Sequence, residues 1–422
     1  TNDVKRIYAV TGDSLNELND AVRRNGKIEW IHVRHEEVGA YAAAAEAELD
    51  GLACCAGSSG PGHVHLINGL YDANRSGVPV IAIASTISTA QMGVEHFQAT
   101  NTYKLFDDCS VYNELATTPS QVPRMLQTAI QNAIHKKGVA VFGLAGDVSS
   151  MPAEESVTSM YNYRSKTVLR PSDPEMQKLA DLVNKHPKIS IYCGVGAKEA
   201  HDDIIKLAGL LKAPIGYSFR GKMGIQYNNL YEVGMTGLLG VPSAFHAMHE
   251  SDVVILLGTD FPYEHFMPVT NKIIQIDEKP ERLGRRAKLE MGLTGKITDT
   301  IAALLPLINE KEDDSFLNAQ LEFYEKVKEN LNIYVEDTGS ENHISPEFVA
   351  STISKMANED TIFTVDTGMC CVWGARYIEA TGKRIMLGSF NHGSMANAMP
   401  MAIGAQLAYP ERQVIAILLA RL

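Results

Sequence analysis

Short apolar runs alternate with amphipathic stretches along the first third of the chain. The apolar runs lie at residues 7–10, 28–33, 52–56, 78–85 and 139–144. Runs of this length between turn residues predict buried β-strands, and the stretches between them are long enough for helices. Strands that alternate with helices are typical of parallel sheets joined by crossover connections. The pattern therefore predicts an open α/β sheet.

The same alternation occurs twice more, after interruptions at residues 149–172 and 310–340 that we interpret as linkers. The later apolar runs lie at residues 189–193, 214–218, 253–257, 273–276, 361–366 and 414–419. Pro174, with Ser172 or Asp173 as the N-cap, and Pro346, with Ser345 as the N-cap, are typical of helix starts. We therefore predict an α/β protein with three doubly wound parallel-sheet domains. Their predicted bounds are 1–150, 173–335 and 345–422.

Composition and charge exclude several classes of protein. The net charge is -12 over 422 residues, which argues against a nucleic-acid partner. No apolar run approaches the roughly 18 residues needed for a membrane span. The six cysteines form no CxxC pair, and we expect buried thiols in a reducing compartment, not disulfides. These features predict a cytoplasmic enzyme with no signal peptide.

An acidic residue and a glycine-rich turn are the first candidates for chemistry. Glu36 precedes an alanine-rich segment that favours helix, and a glycine-rich turn follows at residues 57–62. Such a turn allows a ligand to approach the backbone closely. The alternative is a solvated helix start, where acidic side chains offset the helix dipole.

Two later regions carry further candidates. A turn at residues 258–262 follows one predicted strand and Asp277 follows the next, where acids in doubly wound sheets can bind a ribose. The alternative at both places is a turn that caps a helix. Residues 388–400 are rich in glycine, serine and alanine, so a cofactor could lie on their backbone. The alternative there is a loop before a core helix, with His392 as a hydrogen-bonded core residue.

Taken together, these motifs resemble the pyruvate oxidase family, which depends on thiamine diphosphate and FAD, and especially its quinone-reducing bacterial branch. The resemblance covers nearly the whole chain. It rests on an ordered set of segments: 11–16, 34–38, 60–62, 97–98, 234–238, 258–263 and 388–400. It implies the three-domain fold of thiamine-diphosphate enzymes.

The resemblance also implies roles for individual residues. Glu36 would hydrogen-bond the aminopyrimidine of the cofactor, while Phe97 and Gln98 would line the reacting centre. The pyrimidine would lie on Gly393, Ser394 and Met395, with Met395 supporting its bent shape. The FAD contacts would be Thr236, Gly237, Leu238, Leu239, Gly258, Thr259, Asp260, Phe261, Pro262 and Asp277.

The implied activity is oxidative decarboxylation of pyruvate, a 2-oxo acid. The cofactors would be thiamine diphosphate, FAD and Mg²⁺, and quinone or oxygen would accept the electrons. The family's active sites lie between subunits of a homodimer or homotetramer, so Glu36 would face Met395 of the partner subunit. Two alternatives stay open: a carboligase of the acetolactate synthase kind, and a non-catalytic FAD-binding protein.

The chain departs from the family after Ile417. There the family has a Gly-Asp-Gly motif whose aspartate binds magnesium, whereas this sequence reads Leu418 to Leu422. We therefore expect a third domain that is incomplete, with no metal ligands in this chain. We also expect that the 422 residues alone do not turn over pyruvate. In the quinone-reducing branch, the C-terminal segment meets membranes, so the complete protein would associate with one.

Overall fold

The computed structural model describes residues 3–153, 163, 166–336, 339–340 and 343–418. Parts of the two predicted linkers and residues 419–422 of the predicted tail lie outside the described residues. The chain divides into two compact units. One contains residues 1–165, 362–370 and 387–422, and the other contains residues 166–361 and 371–386.

Strands and helices alternate as predicted. Up to residue 145 they are β1 (Arg6–Ala9), α1 (Asn16–Asn25), β2 (Glu29–His32), α2 (Glu36–Asp50), β3 (Ala53–Gly57), α3 (Pro61–His65), α4 (Ile67–Ser76), β4 (Val80–Thr86), α5 (Thr102–Phe106), β5 (Tyr112–Ala116), α6 (Val122–Lys136) and β6 (Val139–Ala145).

The second series begins with α7 (Asp173–Lys185), which Ser172 caps through a reciprocal contact with Glu175. It continues with β7 (Ile189–Cys193), α8 (His201–Leu211), β8 (Ile215–Tyr217), α9 (Phe219–Ile225), β9 (Glu232–Met235), α10 (Pro242–Glu250), β10 (Val253–Leu257), β11 (Lys272–Asp277), β12 (Met291–Thr294), α11 (Ile297–Leu304) and α12 (Ser315–Glu336). The last elements are β13 (Gly339–Ser340), β14 (His343–Ile344), α13 (Pro346–Met356), β15 (Ile362–Val365), α14 (Met369–Tyr377), β16 (Ile385–Gly388), α15 (Ala398–Ala408) and β17 (Val414–Ile417).

The first sheet has six strands in the order β2-β1-β3-β4-β6-β5, all paired in parallel. The strand order reverses between β1 and β3, so the loops after these two strands diverge and leave a crevice. Their turns meet there, because the Ser59 backbone N–H donates to Ser14 Oγ at 2.9 Å. A Cβ at Gly12 would lie only 2.4 Å from Ser58 Cβ, so the approach requires glycine.

The second sheet has the order β12-β11-β10-β7-β8-β9, again with parallel pairing. Its strand order reverses between β7 and β10. The turns that follow these strands are in direct contact, and the Gly194 N–H donates to the Leu257 carbonyl at 2.8 Å. A Cβ at Gly194 would lie 2.3 Å from the Gly258 oxygen. The second crevice is therefore built from two glycine turns.

β13 and β14 pair antiparallel as a small two-stranded sheet, and the last sheet has three strands in the order β16-β15-β17 among the described residues. β15 and β17 pair in parallel. α15, which precedes β17, packs on α2, whose residues Ala40–Ala45 are all buried. The helices approach so closely that a Cβ at Gly404 would lie 2.1 Å from the Ala42 carbonyl oxygen. The structure thus confirms an α/β fold with parallel sheets.

All six cysteines lie among the described residues, are buried, and form no disulfide. Burial raises the pKa of the Cys55 and Cys109 thiols to about 12, because a thiolate is poorly solvated there. These side chains therefore behave as small apolar groups, as the sequence predicts. No helix in the described part of the chain is long and apolar enough to cross a membrane.

Candidate functional site

Glu36 is buried at the first turn of α2. Its neighbour His35 caps the helix: the His35 backbone is extended, and its Nδ1 accepts the Glu37 N–H at 3.3 Å. Glu36 is only 8% exposed and lies at the N-terminal end of the helix, where the helix dipole is positive. A Cβ at Gly62 would lie 3.3 Å from Glu36 Oε1. The carboxylate therefore faces the glycine-rich turn after β3, as its place in the sequence suggested.

His65 connects this carboxylate to solvent. Its Nδ1 lies 2.9 Å from Glu36 Oε2, and its side chain is half-exposed. The His65 ring also stacks on His35, with 4.4 Å between the ring centroids. A half-exposed imidazole bonded to a buried carboxylate can carry protons between that carboxylate and water. His65 was not among the residues predicted from the sequence, although it follows the Gly-Pro-Gly turn by only three residues.

His35, Glu36 and His65 also form a group whose donor atoms lie within 4.8 Å of one another. A metal must lie in the plane of each imidazole that binds it. The two rings are only 25° from parallel and stacked, so their planes do not meet at a common point close to both. Both Nδ1 atoms already have hydrogen-bond partners. The geometry therefore favours proton transfer over metal binding.

Gln98 lies beside the same glycine-rich turn, whereas Phe97 points into solvent. The Ser59 hydroxyl donates to Gln98 Oε1 at 2.9 Å, and a Cβ at Gly60 would lie 2.9 Å from Gln98 Cβ. Gln98 has a positive φ of 63°, which is unfavourable for a residue with a Cβ. Phe97 is 79% exposed. The structure thus brings Gln98 close to the turn that faces Glu36.

The loop at residues 388–397 is held from within by a buried serine. Ser389 Oγ donates to Asp72 Oδ1 on α4 at 2.9 Å and accepts the Ser394 N–H at 2.9 Å. Gly393 has a φ of 82°, and a Cβ there would contact nothing within 4 Å. The predicted pyrimidine-binding segment therefore has an exposed backbone at Gly393.

Asn68 on α4 links this loop to the start of α2 in the same chain. Its Nδ2 donates to Glu37 Oε1 at 2.7 Å and to Ser394 Oγ at 3.3 Å, and its Oδ1 lies 2.9 Å from His392 Nε2. Met395, which follows Ser394 in the chain, is 64% exposed. The structure therefore brings residues 392–394 close to the helix that begins with Glu36.

The junction between this loop and α15 contains a buried acceptor with no partner. Asp366 Oδ1 accepts the Ala398 N–H at 2.7 Å, and Asn397 Nδ2 donates to the Val365 carbonyl at 3.2 Å. Asn397 Oδ1 is buried and has no hydrogen-bond partner in the described part of the chain. Buried polar atoms usually have a partner, so this oxygen is a candidate contact for a bound group.

In the second unit, the turn after β10 contains Gly258, Thr259 and Asp260. Gly258 has a positive φ of 56°, and the Thr259 carbonyl accepts Gln275 Nε2 at 3.1 Å. Asp260 accepts from Arg285 Nε at 2.7 Å and lies 3.3 Å from Arg286 Nε. This carboxylate is therefore neutralised by two guanidinium groups. Of the next two residues, Phe261 is buried and Pro262 is exposed.

Asp277 ends β11, which pairs with β10, the strand that ends just before Gly258. The side chain is buried, and its Oδ1 accepts the Lys279 N–H at 2.9 Å. Burial raises the pKa of Asp277 because the charged form loses solvation. The carboxyl group lies at the carboxyl end of the sheet beside the second crevice, which is where the sequence placed it.

The segment after β9 approaches the same turn. A Cβ at Gly237, whose φ is 98°, would lie 2.7 Å from the Phe261 ring. Thr236 Oγ1 is buried without a hydrogen-bond partner among the residues that are described. Leu238 is exposed, and the Leu239 carbonyl accepts Arg376 Nε at 3.1 Å. Three of the sequence-predicted segments thus surround one edge of the second sheet.

Models of known protein families match three parts of the chain. Residues 1–105 match the N-terminal TPP binding domain of thiamine pyrophosphate enzymes, residues 176–304 match their central domain, and residues 366–418 match their C-terminal TPP binding domain. TPP, thiamine pyrophosphate, is another name for thiamine diphosphate.

Individual relatives match almost the full chain. A putative thiamine pyrophosphate-containing protein of Bacillus subtilis is 33% identical over 98% of this chain and 72% of its own length. A pyruvate oxidase of Lactiplantibacillus plantarum is 31% identical over 97% of this chain and 69% of its own. The acetolactate synthase large subunit of Corynebacterium glutamicum is 25% identical over 97% and 67%. The chain belongs to the family of thiamine pyrophosphate enzymes.

Proposed function

We propose that this protein carries out the oxidative decarboxylation of pyruvate, with thiamine diphosphate and FAD as cofactors. The observation that carries the proposal is the buried Glu36 carboxylate, which faces the Gly-Pro-Gly turn and is bonded to His65. The likeness to pyruvate oxidase supports the choice of substrate. Thiamine diphosphate, when bound, supplies an electron sink for the carbanion that remains after loss of carbon dioxide.

The proposed roles of the chain's own residues follow from their contacts. Glu36 would hold the proton that faces the aminopyrimidine, and His65 would pass protons between Glu36 and solvent. Gly62 leaves the space in front of Oε1 open, since a Cβ there would lie 3.3 Å from it. The residues present therefore leave room for a flat aromatic ring with one nitrogen facing the Glu36 carboxylate.

The substrate side of the site is assigned to Phe97 and Gln98, and the cofactor side to Gly393, Ser394 and Met395. Gln98 offers an amide close to the turn that faces Glu36. The backbone of Gly393 is exposed, and the buried Asn397 Oδ1 needs a donor that the described residues do not supply. Met395 presents an exposed thioether that can support an apolar ring.

The second crevice is assigned to FAD. The contacts are the segment Thr236, Gly237, Leu238 and Leu239, the turn Gly258, Thr259, Asp260, Phe261 and Pro262, and Asp277. Two observations fit a dinucleotide: the strand order reverses at this point, and Thr236 Oγ1 is buried without a partner. FAD held by these residues would supply the redox chemistry, with quinone or oxygen as the final electron acceptor.

Mg²⁺, which the resemblance implies, is assigned to no described residue of this chain. A magnesium ion prefers oxygen ligands in octahedral geometry. In the described part of the chain, the group of three close metal-ligating side chains contains two imidazoles, a donor set that suits other metals better.

We also propose a homodimer or homotetramer with active sites between subunits. Met399 and Ile403 are exposed apolar residues on one face of α15, four residues apart, and Met395 is exposed just before that helix. Exposed apolar side chains beside a functional loop are typical of a surface that another subunit covers. Glu36 of one chain would then act on a cofactor held by Met395 of the partner subunit.

Reduction of the flavin tests the proposed reaction. The protein purified from its complete coding region, with thiamine diphosphate and Mg²⁺ added, should lose its visible flavin absorbance when pyruvate is added without oxygen. Lactate, which lacks the oxo group, should leave the absorbance unchanged. A bound flavin that stays oxidised while pyruvate is consumed would overturn the proposal.

Acetolactate synthases match nearly the whole chain at 25–28% identity, and this favours a carboligase as the second candidate function. A carboligase of this kind joins two molecules of pyruvate, releases one carbon dioxide and needs no net oxidation. The same anaerobic experiment separates the two candidates, because acetolactate would accumulate with the flavin oxidised. Detection of acetate and reduced flavin instead would exclude the carboligase.

A further inference from the structure

His63 is a fully buried, titratable residue to which the proposed chemistry gives no part. It lies on α3, directly after the Gly-Pro-Gly turn, and is 0% exposed. Burial of an imidazole is costly unless both ring nitrogens are hydrogen-bonded. Both are: Nδ1 lies 2.8 Å from the Ser85 carbonyl oxygen, and Nε2 lies 2.6 Å from Thr100 Oγ1. The ring also packs edge-on against Phe106.

The Ser85 carbonyl determines which ring nitrogen of His63 carries a proton. The Ser85 carbonyl oxygen can only accept, so Nδ1 carries the proton. In the neutral ring Nε2 is then an acceptor, and the Thr100 hydroxyl donates to it. Burial lowers the pKa of His63, which agrees with a neutral ring. His63 is therefore a neutral link between a carbonyl and a hydroxyl.

This link joins a rigid strand to an exposed loop. Ser85 belongs to β4, a central strand whose seven residues are all buried. Thr100 ends the segment of residues 93–100, which we call the Phe97 loop. Five consecutive residues of that loop, from Gly93 to Phe97, are exposed. The bond to His63 therefore ties the end of an exposed loop to the core of the sheet.

The Phe97 loop contains a strained residue that needs such support. Gln98 has a positive φ of 63°, a conformation that is unfavourable for a residue with a Cβ. Strain of this kind persists only where the surroundings hold it. Two side-chain hydrogen bonds hold this part of the loop. The Ser59 hydroxyl donates to Gln98 Oε1, and the Thr100 hydroxyl donates to His63 Nε2. Both bonds involve a residue beside the Gly-Pro-Gly turn.

We propose that His63 is a positioning residue that, through Thr100, holds the Phe97 loop so that Gln98 reaches the substrate side of the site. The inference rests on the proposed function for what Gln98 does there. The positioning itself depends only on the hydrogen bonds and can be measured without turnover.

Thr100→Val is the sharpest probe, because valine keeps the shape of threonine and removes only the hydroxyl. Thr100→Ser is the matched control, because serine keeps the hydroxyl. Hydrogen exchange of backbone amides, followed by mass spectrometry, should be about tenfold faster in the Phe97 loop of Thr100→Val than in the wild type. Thr100→Ser should exchange like the wild type, and the peptide that covers β4 should be unchanged in both variants.

His63→Asn tests the other end of the link. The shorter amide can still donate to the Ser85 carbonyl but cannot reach Thr100. It should accelerate exchange in the Phe97 loop as Thr100→Val does, and the double variant should show no further acceleration. Exchange in Thr100→Val that equals the wild type would overturn the proposal.

The kinetic arm measures what the positioning does. With pyruvate as substrate, Thr100→Val should reduce kcat/KM by about tenfold or more, since small misplacements near reacting groups are costly. Thr100→Ser should keep the kcat/KM of the wild type. A faster-exchanging loop in a protein without pyruvate activity would sink the proposed function and leave the positioning intact. Unchanged kcat/KM in an active Thr100→Val enzyme would sink the inference.

Discussion

The polar side chains of the candidate sites differ in whether the chain itself supplies their hydrogen-bond partners. Glu36 is a buried carboxylate with two stabilising neighbours, the start of α2 and His65. Thr236 Oγ1 and Asn397 Oδ1 are buried without partners among the described residues. A polar group with a hydrogen-bond partner in the chain needs no ligand to complete its bonds. A buried polar group without one is expected to gain its partner from a ligand. This contrast leads to opposite predictions for substitutions at the two kinds of residue.

Glu36→Gln should abolish most of the activity with little change in fold. Glutamine keeps the size of the side chain but cannot exchange a proton with the aminopyrimidine, so kcat should fall by at least about a hundredfold. Steady-state kinetics with pyruvate would measure the loss. Glu37→Gln is the control, because Glu37 follows on the same turn but binds Asn68 instead. Equal losses in the two variants would contradict the role given to Glu36.

Thr236→Val should affect the protein with and without flavin in opposite directions. In the flavin-free protein the change removes a buried hydroxyl that has no partner, so stability should stay equal or rise by about 1 kcal/mol. If the hydroxyl binds the flavin, affinity should fall by about tenfold, which fluorescence titration with FAD would measure. Thr236→Ser should bind FAD like the wild type. Tighter or equal binding by the valine variant would refute this contact.

Lys222 gives a prediction about pH. The residue is fully buried on α9, and its Nζ donates to the carbonyls of Ala375, at 2.6 Å, and Ile378. Burial lowers the pKa of Lys222 from 10.5 to about 8, because the ammonium group loses solvation. Between these two values the unfolded chain holds more protons than the folded one. The free energy of unfolding should therefore rise with pH across that window.

Lys222→Met removes this titration and serves as the reference. Denaturant unfolding at about pH 7 and about pH 10 should show the wild type gaining stability relative to the variant at the higher pH. Comparison of the two proteins cancels the other groups that titrate in this range. A wild type that loses ground to Lys222→Met as the pH rises would show that the lysine is stabilised in its charged form.

At the scale of elements, the sequence predicted the interior of the sheets far better than their edges. The predicted runs 189–193 and 253–257 coincide with β7 and β10, strands that are buried throughout. The strands that the apolar pattern did not reveal are β5, β9, β12, β13, β14 and β16, and each lies at an edge of its sheet. An edge strand such as β5, with its sequence YNELA, is only partly buried and lacks a continuous apolar run.

The parts of the candidate sites also differ in how far they could be predicted from the sequence. The turns after strands were predictable, because glycine runs and strand-end acids leave a signal in the sequence. The proximity of His65 to Glu36 and of Asn68 to Ser394 was not, since it depends on how α3 and α4 pack. The positive φ of Gln98 was also hidden, because glutamine gives no sign of that conformation. Tertiary packing, and not local preference, determines these features.

The contact between α2 and α15 gives an element-scale prediction. Alanine normally stabilises a helix over glycine by up to about 1 kcal/mol. At Gly404, however, the added Cβ would lie 2.1 Å from the Ala42 carbonyl, so the helices must move apart. Gly404→Ala should lower the free energy of unfolding by about 1–3 kcal/mol. Because α2 carries Glu36, activity should fall as well.

Gly209→Ala on α8 is the matched control for that helix contact. A Cβ there would approach only the Tyr231 hydroxyl, at the far end of a side chain that can shift. This variant should be as stable as the wild type or slightly more stable. Denaturant titrations of the two variants would compare them directly. A Gly404→Ala variant that is the more stable of the two would show that α2 and α15 have room for a Cβ between them.

At the scale of the whole molecule, both large sheets place their candidate residues where the strand order reverses. Glu36, Gln98 and the Gly-Pro-Gly turn lie at the reversal between β1 and β3, and Gly258 lies at the reversal between β7 and β10. Parallel sheets with this topology form crevices at those points. Each crevice is therefore a consequence of strand order, and the side chains around it determine what it binds.

The arrangement of subunits can be tested by mixing two inactive variants. Glu36→Gln and Met395→Ala, when co-expressed, form mixed dimers in which one site carries both changes and the other carries neither, provided each site lies between subunits. We expect recovery to about a quarter of wild-type activity, since half of the dimers are mixed and each has one intact site of two. A pair such as Glu36→Gln with His65→Ala, which alters the same side of the site, should recover nothing. The contact from Asn68 to Ser394 within one chain offers the opposite arrangement, in which each chain builds its own site. No recovery by the first pair, with mixed dimers demonstrated by mass spectrometry, would establish that arrangement and refute a site shared between subunits.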